Sequence, residues 1–192
     1  MIAIIQYNAG NIGSVQNALQ RLGADCEVTN DPQRIISADK VIFPGVGEAS
    51  SAMESLRQSG MVDVITNLQQ PVLGICLGLQ LMCTSSDEND TTCLGIFDAA
   101  VKLFPPTDII PHMGWNNCQN LSSKVFDGLT DADNFYFVHS YYAEVAAGCV
   151  ATCNYILPFA AALNKNNFYA TQFHPEKSAS AGEKLLQNFL AL

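Results

Sequence analysis

Basic residues are scarce in this sequence. Lys and Arg number 9 against 18 Asp and Glu, which gives a formal net charge of −9 over 192 residues. A protein that binds nucleic acid needs clustered Lys and Arg residues, and no such cluster is visible in this sequence. We therefore expect no nucleic-acid partner. No apolar run approaches the roughly 20 residues of a membrane-spanning helix, and the opening "MIAIIQYN" lacks the basic flank and cleavage site of a signal peptide. We therefore expect neither a membrane segment nor export.

The seven cysteines include no C-x-x-C pair, and their number is odd. This pattern argues against a disulfide framework and against a thiolate zinc site, and it favours a reducing, cytoplasmic location. We expect neither a metal ion nor a cofactor. Most of the cysteines are interpreted as small buried hydrophobic residues.

Apolar residues make up 48% of the chain and charged residues 14%, a globular composition that fits one domain over residues 1–192. Four apolar runs, "MIAIIQY", "CEV", "KVIFPG" and "PVLGI", are typical of buried strands. Between them, two stretches repeat apolar residues at helical spacing: Val15, Ala18, Leu19 and Leu22, closed by Gly23, and Ala49, Ala52, Met53 and Leu56. Strands that alternate with helices predict an α/β fold with a mainly parallel sheet covered by helices on both faces.

The C-terminal half of the chain has a different pattern. Beyond residue 98 the apolar runs are shorter and more alternating, so we expect extra mixed or antiparallel strands there. Residues 85–92, "SSDENDTT", are predicted as a polar surface loop. Residues 180–183, "SAGE", have the pattern of a capping box that begins the last helix.

One cysteine stands between two glycines, in Gly74-Ile75-Cys76-Leu77-Gly78, where a predicted strand meets a predicted helix. In a nucleophile elbow, a sharp turn of this kind lifts one side chain above the sheet edge, and the glycines relieve crowding. The N-terminus of the following helix favours a thiolate. A plain strand–turn–helix with a buried cysteine would contain the same residues, so the pentapeptide alone leaves both interpretations open.

A cysteine nucleophile needs a base, and the three histidines are His112, His139 and His174. His174 stands two residues before Glu176 in "TQFHPEKS", so a strand that stays extended through the intervening proline would project both side chains to one side. The carboxylate would then orient the imidazole and stabilise its charged form. We therefore predict a catalytic triad of Cys76, His174 and Glu176.

Acyl transfer also needs backbone donors for the oxyanion. The stretch "FPGVGEAS", residues 43–50, ends a predicted strand and begins a helix. Gly45 and Gly47 would let backbone N–H groups approach a ligand. An ordinary turn would explain two glycines equally well, so this stretch is weak evidence when it is taken alone.

Three stretches together, "PGVG", "GICLGLQ" and "QFHPEKS", resemble the class I (triad) glutamine amidotransferases in order and approximate spacing. Two more, "NAGNIGSV" and "PHMGWN", are similar to the glutamine amidotransferase subunit of imidazole glycerol phosphate synthase, an enzyme of histidine biosynthesis. The resemblance runs from the first predicted strand to the last helix. It implies the flavodoxin-like, mainly parallel fold of that family.

The resemblance implies that Cys76 attacks the side-chain amide of L-glutamine to give a glutamyl thioester and ammonia, and that water then releases glutamate. His174 would transfer the proton and Glu176 would orient it. The substrate contacts that the family motifs match here are Gly47 and Leu77 near the oxyanion, and Gln80, Ser140 and Tyr141 at the amino-acid end of glutamine.

A partner is also implied by the resemblance: a (β/α)₈-barrel cyclase subunit that forms a heterodimer with this chain and uses the ammonia to make imidazole glycerol phosphate and aminoimidazole carboxamide ribotide. Asn11, Trp115 and Lys177 match positions near that interface. His112 and His139 match motif positions, and we expect structural or interface roles for them. The chain has no G-x-x-x-x-G-K phosphate loop, so the phosphorylated substrate is expected on the partner.

Two residues depart from the family pattern. Gln6 and Asn8 stand where an acid and a glycine are usual, which removes a charge near the end of the first strand. Asn tolerates left-handed backbone, so the turn can persist. Three other hypotheses stay open: an amidotransferase of pyridoxal phosphate, purine or anthranilate synthesis, a free-standing cysteine hydrolase such as a γ-glutamyl peptidase, and a catalytically silent regulatory subunit.

Overall fold

A computed structural model describes residues 1–7 and 10–192 and contains a seven-stranded main sheet. Its strands are β1 (Ile2–Ile5), β2 (Cys26–Thr29), β3 (Lys40–Gly45), β4 (Val72–Cys76), β11 (Cys149–Tyr155), β12 (Leu157–Lys165) and β13 (Phe168–Thr171). Their order across the sheet is β11-β12-β13-β4-β3-β1-β2. The strands from β13 to β2 are parallel, and β12 and β11 extend the sheet with antiparallel pairing. The predicted mainly parallel sheet is confirmed.

Helices cover both faces of this sheet. They are α1 (Ile12–Arg21), α2 (Pro32–Ser37), α3 (Ala49–Gln58), α4 (Met61–Thr66), α5 (Leu77–Met82) and α6 (Ala179–Leu190). The sequence does not predict α2 and α4, because six residues are too few for a helical repeat to show. Among the helices formed by the described residues, none has the length and apolar character that crossing a bilayer requires.

Two separate hydrophobic cores lie on the two faces. In β1, Ala3 and Ile5 pack in the core that contains α3 and α4, while Ile2 and Ile4 pack in the core that contains α1 and α6. β1 is therefore buried on both sides, and β3 and β4, which follow it in the sheet, are buried along nearly their whole length. This is why the strands appear in the sequence as continuous apolar runs and not as an apolar–polar alternation.

The C-terminal half adds two small sheets. One has the order β10-β7-β5-β6, from β5 (Ser85–Ser86), β6 (Thr91–Thr92), β7 (Ala100–Leu103) and β10 (Tyr141–Ala143). The other pairs β8 (His112–Asn117) with β9 (Asn134–His139) in antiparallel fashion. The predicted mixed and antiparallel strands are present: β11, β12 and β13 join the main sheet, and the others form the two small sheets.

Residues 85–92 are not simply the polar surface loop that the sequence predicts. They form β5, a 3₁₀ turn over Glu88–Asp90, and β6. Ser86 and Thr91 are buried, and their hydroxyl groups bond the backbone of Glu88, which lets a polar stretch pack inward. Most of the stretch is exposed, as predicted, but hydrogen bonds between its polar side chains and the backbone fold it into short strands and a turn.

The predicted capping box at "SAGE" is wrong. Helix α6 begins at Ala179, so Ser180 and Glu183 lie inside the helix. Ser178, at the helix start, makes no capping bond to the helix. Its hydroxyl donates to the carbonyl of His174 at 2.6 Å and accepts from the N–H of Tyr136 at 2.9 Å. That hydroxyl therefore ties α6 to β9 and to the segment that carries His174.

Four neighbouring parallel strands, in the order β13-β4-β3-β1, carry the predicted site residues to one edge of the sheet. His174 follows β13, Cys76 ends β4, Gly47 follows β3 and Asn11 follows β1. Parallel strands present their carboxyl ends at the same edge, which is where α/β sheets bind ligands. Segments far apart in sequence therefore meet at this edge.

Candidate active site

Cys76 lies on a strained turn between β4 and α5. Its φ is 54° and its ψ is −106°, a backbone conformation that side chains rarely adopt. A β-carbon added at Gly78 would collide with the carbonyl oxygen of Phe43, and one added at Gly74 would lie 2.9 Å from the sulfur of Met82. The flanking glycines are therefore required by the close packing of this turn, which has the geometry of a nucleophile elbow.

His174 and Glu176 form a buried pair. His174 Nδ1 lies 2.8 Å from Glu176 Oε1, and the two side chains are 1% and 0% exposed. The predicted extended path between them is wrong, because β13 ends at Thr171 and a 3₁₀ turn spans Pro175–Lys177. The turn, and not strand alternation, brings the carboxylate to the imidazole. Among the described residues, His174 Nε2 has no hydrogen-bond partner, so this nitrogen is available for proton transfer.

The electrostatics of His174 favour its charged form. Burial alone lowers the pKa of His174, but the neighbouring Cys76 sulfur and Glu176 carboxylate outweigh it and raise that pKa to about 10. An imidazolium beside a cysteine sulfur is placed to stabilise a thiolate. The structure therefore brings the three predicted triad residues together.

A cleft of about 320 Å³ opens beside Cys76. The five residues predicted as glutamine contacts all line it: Gly47, Leu77, Gln80, Ser140 and Tyr141. They come from three separate parts of the chain, the segment after β3, helix α5 and the segment from the end of β9 into β10. The cleft therefore gathers the predicted contacts around the cysteine.

Glu88 lines the same cleft, and sequence reasoning missed it. Its carboxylate accepts a 2.7 Å hydrogen bond from the N–H of Ala49 at the start of α3. Partial burial raises the pKa of Glu88. No pattern in the sequence separates Glu88 from Asp87 or Asp90 in the same polar stretch, so only the fold of that stretch reveals it.

The segment from Pro44 to Gly47, which the sequence predicts to carry an oxyanion donor, is held by chain that follows β1. The Tyr7 hydroxyl donates to the Pro44 carbonyl at 2.8 Å, and the Gly10 N–H donates to the Val46 carbonyl at 3.3 Å. Gly47 has a φ of 130°. In a trans peptide the N–H points opposite to the C=O, so the Gly47 N–H points away from Gly10.

The sequence profile of the family "Glutamine amidotransferase class-I" matches residues 3–192. The chain belongs to the class I glutamine amidotransferases. Imidazole glycerol phosphate synthase subunit HisH of Bacteroides fragilis is 56% identical over 194 residues, covering 100% of this chain and 99% of that relative. The subunit HisH of Bacteroides thetaiotaomicron is 54% identical, with the same coverage.

A solved glutamine amidotransferase has a TM-score of 0.77 at 18% identity and covers 99% of this chain and 97% of its own, which supports the fold. The amidotransferase is thus similar over its whole length to the HisH subunits. Its activity is that of the glutaminase subunit of an imidazole glycerol phosphate synthase, in histidine biosynthesis.

The three interface residues predicted for this amidotransferase lie around the triad. Asn11 Nδ2 donates to Glu176 Oε1 at 2.5 Å. Trp115, on β8, is 56% exposed, and its ring centroid lies 6.0 Å from that of Tyr136. Lys177 Nζ lies 6.0 Å from the same Tyr136 ring. Asn11 and Lys177 therefore lie beside the His174–Glu176 pair, and Trp115 lies beside Tyr136 as part of the exposed surface.

The two departures from the family pattern, Gln6 and Asn8, lie a few residues before Asn11 in the sequence. Gln6 is exposed, and its N–H donates to the carbonyl of Thr29 at 2.9 Å, so the backbone at the end of β1 keeps its pairing. Asn8 lies outside the described residues.

The remaining histidines of the amidotransferase, His112 and His139, are buried and 3.0 Å apart between Nδ1 and Nε2. Burial lowers the pKa of His112 to about 4 and that of His139 to about 3, so both are neutral at pH 7. Their rings pack among Phe104, Phe137 and Phe159. His139 also lines the cleft beside Cys76.

Proposed function

We propose that Cys76, His174 and Glu176 are the catalytic triad that hydrolyses the side-chain amide of L-glutamine. The observation that carries this proposal is the buried His174–Glu176 pair beside a cysteine that stands on an elbow in the wall of the cleft. The sulfur attacks the amide carbon, a C–S bond forms and the carbonyl oxygen becomes an oxyanion. As this intermediate collapses, the C–N bond breaks and His174 Nε2 gives its proton to the leaving nitrogen, so ammonia departs.

The glutamyl thioester is then hydrolysed in the same site. Neutral His174 takes one proton from water, the water oxygen attacks the thioester carbon and the C–S bond breaks to release the Cys76 thiolate; the new carboxyl group loses its proton to solvent and leaves as glutamate. Glu176 keeps Nδ1 protonated throughout, which leaves Nε2 as the atom that exchanges protons. One imidazole therefore serves both halves of the reaction.

The oxyanion is stabilised by the N–H groups of Gly47 and Leu77, which converge on the carbonyl oxygen of the substrate. Both residues line the cleft, and Leu77 is the first residue of α5, where N–H groups lack partners inside the helix. The orientation of the Gly47 N–H depends on the segment that Gly10 and Tyr7 hold. A shift of this segment would therefore change the reaction rate.

Polar groups at the other end of the cleft bind the amino-acid end of glutamine, which carries an ammonium and a carboxylate. Gln80, Ser140 and Tyr141 line the cleft together with Glu88. The Glu88 carboxylate complements the α-ammonium group by charge. This arrangement favours free glutamine over peptides, whose α-groups are blocked.

Ammonia passes to a cyclase subunit of the (β/α)₈-barrel type in a heterodimer, because the relatives are named as subunits of one synthase. Asn11, Trp115 and Lys177 contribute to that interface beside the triad. A single domain over residues 1–192 carries the glutaminase site and works in the cytoplasm. The phosphorylated substrate binds the partner.

The experiment that tests this function compares glutamine hydrolysis by the isolated chain with hydrolysis in the presence of the cyclase and its nucleotide ligand. Weak activity alone and a strong rise in the complex are expected, because the oxyanion donors must rearrange. Equal turnover in both conditions would contradict the coupling. A γ-glutamyl peptidase would cleave small γ-glutamyl substrates at full rate without a partner, and a regulatory subunit would show no turnover in either condition.

A further inference from the structure

A chain of buried side-chain amides leads from the cleft to the Cys76 sulfur. Gln80 Nε2 lies 2.9 Å from the carbonyl oxygen of Tyr141 and 3.2 Å from Gln172 Oε1. Gln172 Nε2 in turn lies 3.7 Å from Cys76 Sγ. Gln172 is 0% exposed, so its carboxamide has no water to bond and must find partners in the protein.

The carbonyl of Tyr141 settles the direction of this chain. A carbonyl oxygen only accepts, so the Gln80 atom that faces it must be the nitrogen. The second hydrogen of the same nitrogen faces Gln172, whose contacting atom must then be its oxygen. Gln172 therefore turns its –NH₂ group toward the sulfur, as a donor.

Two histidines fix the Tyr141 carbonyl, from which the orientation of both glutamine side chains follows. His139 Nδ1 lies 2.7 Å from the same Tyr141 oxygen, so Nδ1 carries the hydrogen and Nε2 of this neutral imidazole accepts. His112 Nδ1 donates to that Nε2 at 3.0 Å. The Tyr141 carbonyl thus receives two hydrogen bonds, and its orientation, on which that of Gln80 and Gln172 depends, is fixed.

We propose that Gln172 is a further catalytic residue whose N–H donates to the Cys76 sulfur and stabilises the thiolate. The proposal rests on the proposed role of Cys76 as the nucleophile. An N–H group bonds an anionic sulfur more strongly than a neutral thiol, so the contact favours ionisation. It also holds the sulfur in one position in the cleft. His174 contributes a positive charge beside the sulfur, and Gln172 contributes an uncharged hydrogen-bond donor.

The test replaces Gln172 by residues of similar size: Gln172→Met, which cannot donate a hydrogen bond, and Gln172→Glu, which lacks the N–H group. The readout is the pH profile of Cys76 alkylation by iodoacetamide, followed by mass spectrometry of the peptide that contains Cys76. We expect the midpoint of the profile to move to higher pH and the rate at pH 7 to fall about tenfold, in line with a lost charge-assisted hydrogen bond. The kcat for glutamine in the cyclase complex falls comparably, while ammonia-dependent synthesis is unchanged.

Gln70→Met is the matched control, because Gln70 Nε2 donates to the backbone carbonyl of Ile35 at 2.8 Å, away from the cleft. This substitution removes a hydrogen bond made by a glutamine side chain, and it should leave the pH profile of Cys76 alkylation unchanged. Folded Gln172 variants with the wild-type profile and kcat would overturn the proposal; if Gln172→Glu does not fold, Gln172→Met decides. Glutamine hydrolysis that survives Cys76→Ser would instead overturn the triad itself, so the two failures are distinguishable.

Discussion

Asn11 Nδ2 donates to Glu176 Oε1 at 2.5 Å, and this is the same oxygen that lies 2.8 Å from His174 Nδ1. One carboxylate oxygen is therefore held by an amide from the chain after β1 and by the imidazole that it orients. Asn11 is also one of the residues assigned to the partner interface. A contact with the partner at Asn11 would thus reach the catalytic pair through a single hydrogen bond.

Asn11→Gly tests this contact. Asn11 has a φ of 67°, which glycine adopts without strain, so the substitution removes the carboxamide without distorting the turn. Loss of a hydrogen bond to a charged group is worth about 1.5 kcal/mol, so we expect kcat for glutamine to fall about tenfold at saturating cyclase. Asn166→Gly is the control, because Asn166 also has a positive φ, 54°, in the exposed turn between β12 and β13. An unchanged kcat in Asn11→Gly would contradict the role of the contact.

The raised pKa of His174 predicts a pH-dependent stability. The group binds its proton more tightly in the folded state than in the unfolded state, where the pKa is about 6.5. Its contribution to the free energy of unfolding is therefore fully present below pH 6.5 and is lost as the pH rises toward 10. Urea unfolding from pH 6 to pH 10 should show a steeper loss of stability in the wild type than in His174→Gln. Parallel curves would rule out the proposed charge on His174.

Gly78→Ala should disrupt the elbow. The added methyl group would collide with the backbone carbonyl of Phe43, which cannot move without breaking β3. We expect the free energy of unfolding to fall by about 3 kcal/mol or more. Gly13→Ala is the control in the first turn of α1: a β-carbon there meets no atom, and the substitution should be neutral or stabilise the protein by up to about 1 kcal/mol. Equal denaturation midpoints for the two variants would show that the turn is not tightly packed.

Trp115→Ala should weaken binding to the cyclase. An exposed Trp that becomes buried in an interface commonly contributes 2 kcal/mol or more, so the dissociation constant should rise about 30-fold. Ile36→Ala is the matched control, because Ile36 is 51% exposed and Trp115 is 56% exposed. Ile36 lies near the end of α2, which leads into the start of β3, away from the sheet edge that carries the candidate site. Binding is measured by titration of one subunit with the other. Equal affinities for both variants would place the interface elsewhere.

Much of the fold could be predicted because strands that are buried on both faces appear in the sequence as continuous apolar runs. The runs that form β1, β3 and β4 are continuous and apolar, and a glycine follows each of them closely in the sequence. The elbow at Cys76 could also be predicted, because close packing against β3 and within the turn demands glycine on both sides of the cysteine. These features are local, so a single sequence contains them.

The parts that could not be predicted depend on contacts between distant segments. Glu88 enters the cleft because its stretch folds into a small sheet with β7 and β10, and no local pattern indicates this. The 3₁₀ turn at Pro175–Lys177 replaces the extended path because Ser178 bonds both His174 and Tyr136. Gln172 acquires its orientation only from the Tyr141 carbonyl, through Gln80.

The most direct measurement is the synthesis of imidazole glycerol phosphate by the cyclase complex of Cys76→Ser, with glutamine or with ammonium salt as the nitrogen source. We expect glutamine-dependent synthesis to be abolished while ammonia-dependent synthesis continues at the wild-type rate, because the sulfur serves only to release ammonia. Loss of both activities would show that Cys76 is structural. Retention of both would show that another group attacks glutamine, and either result would contradict the account.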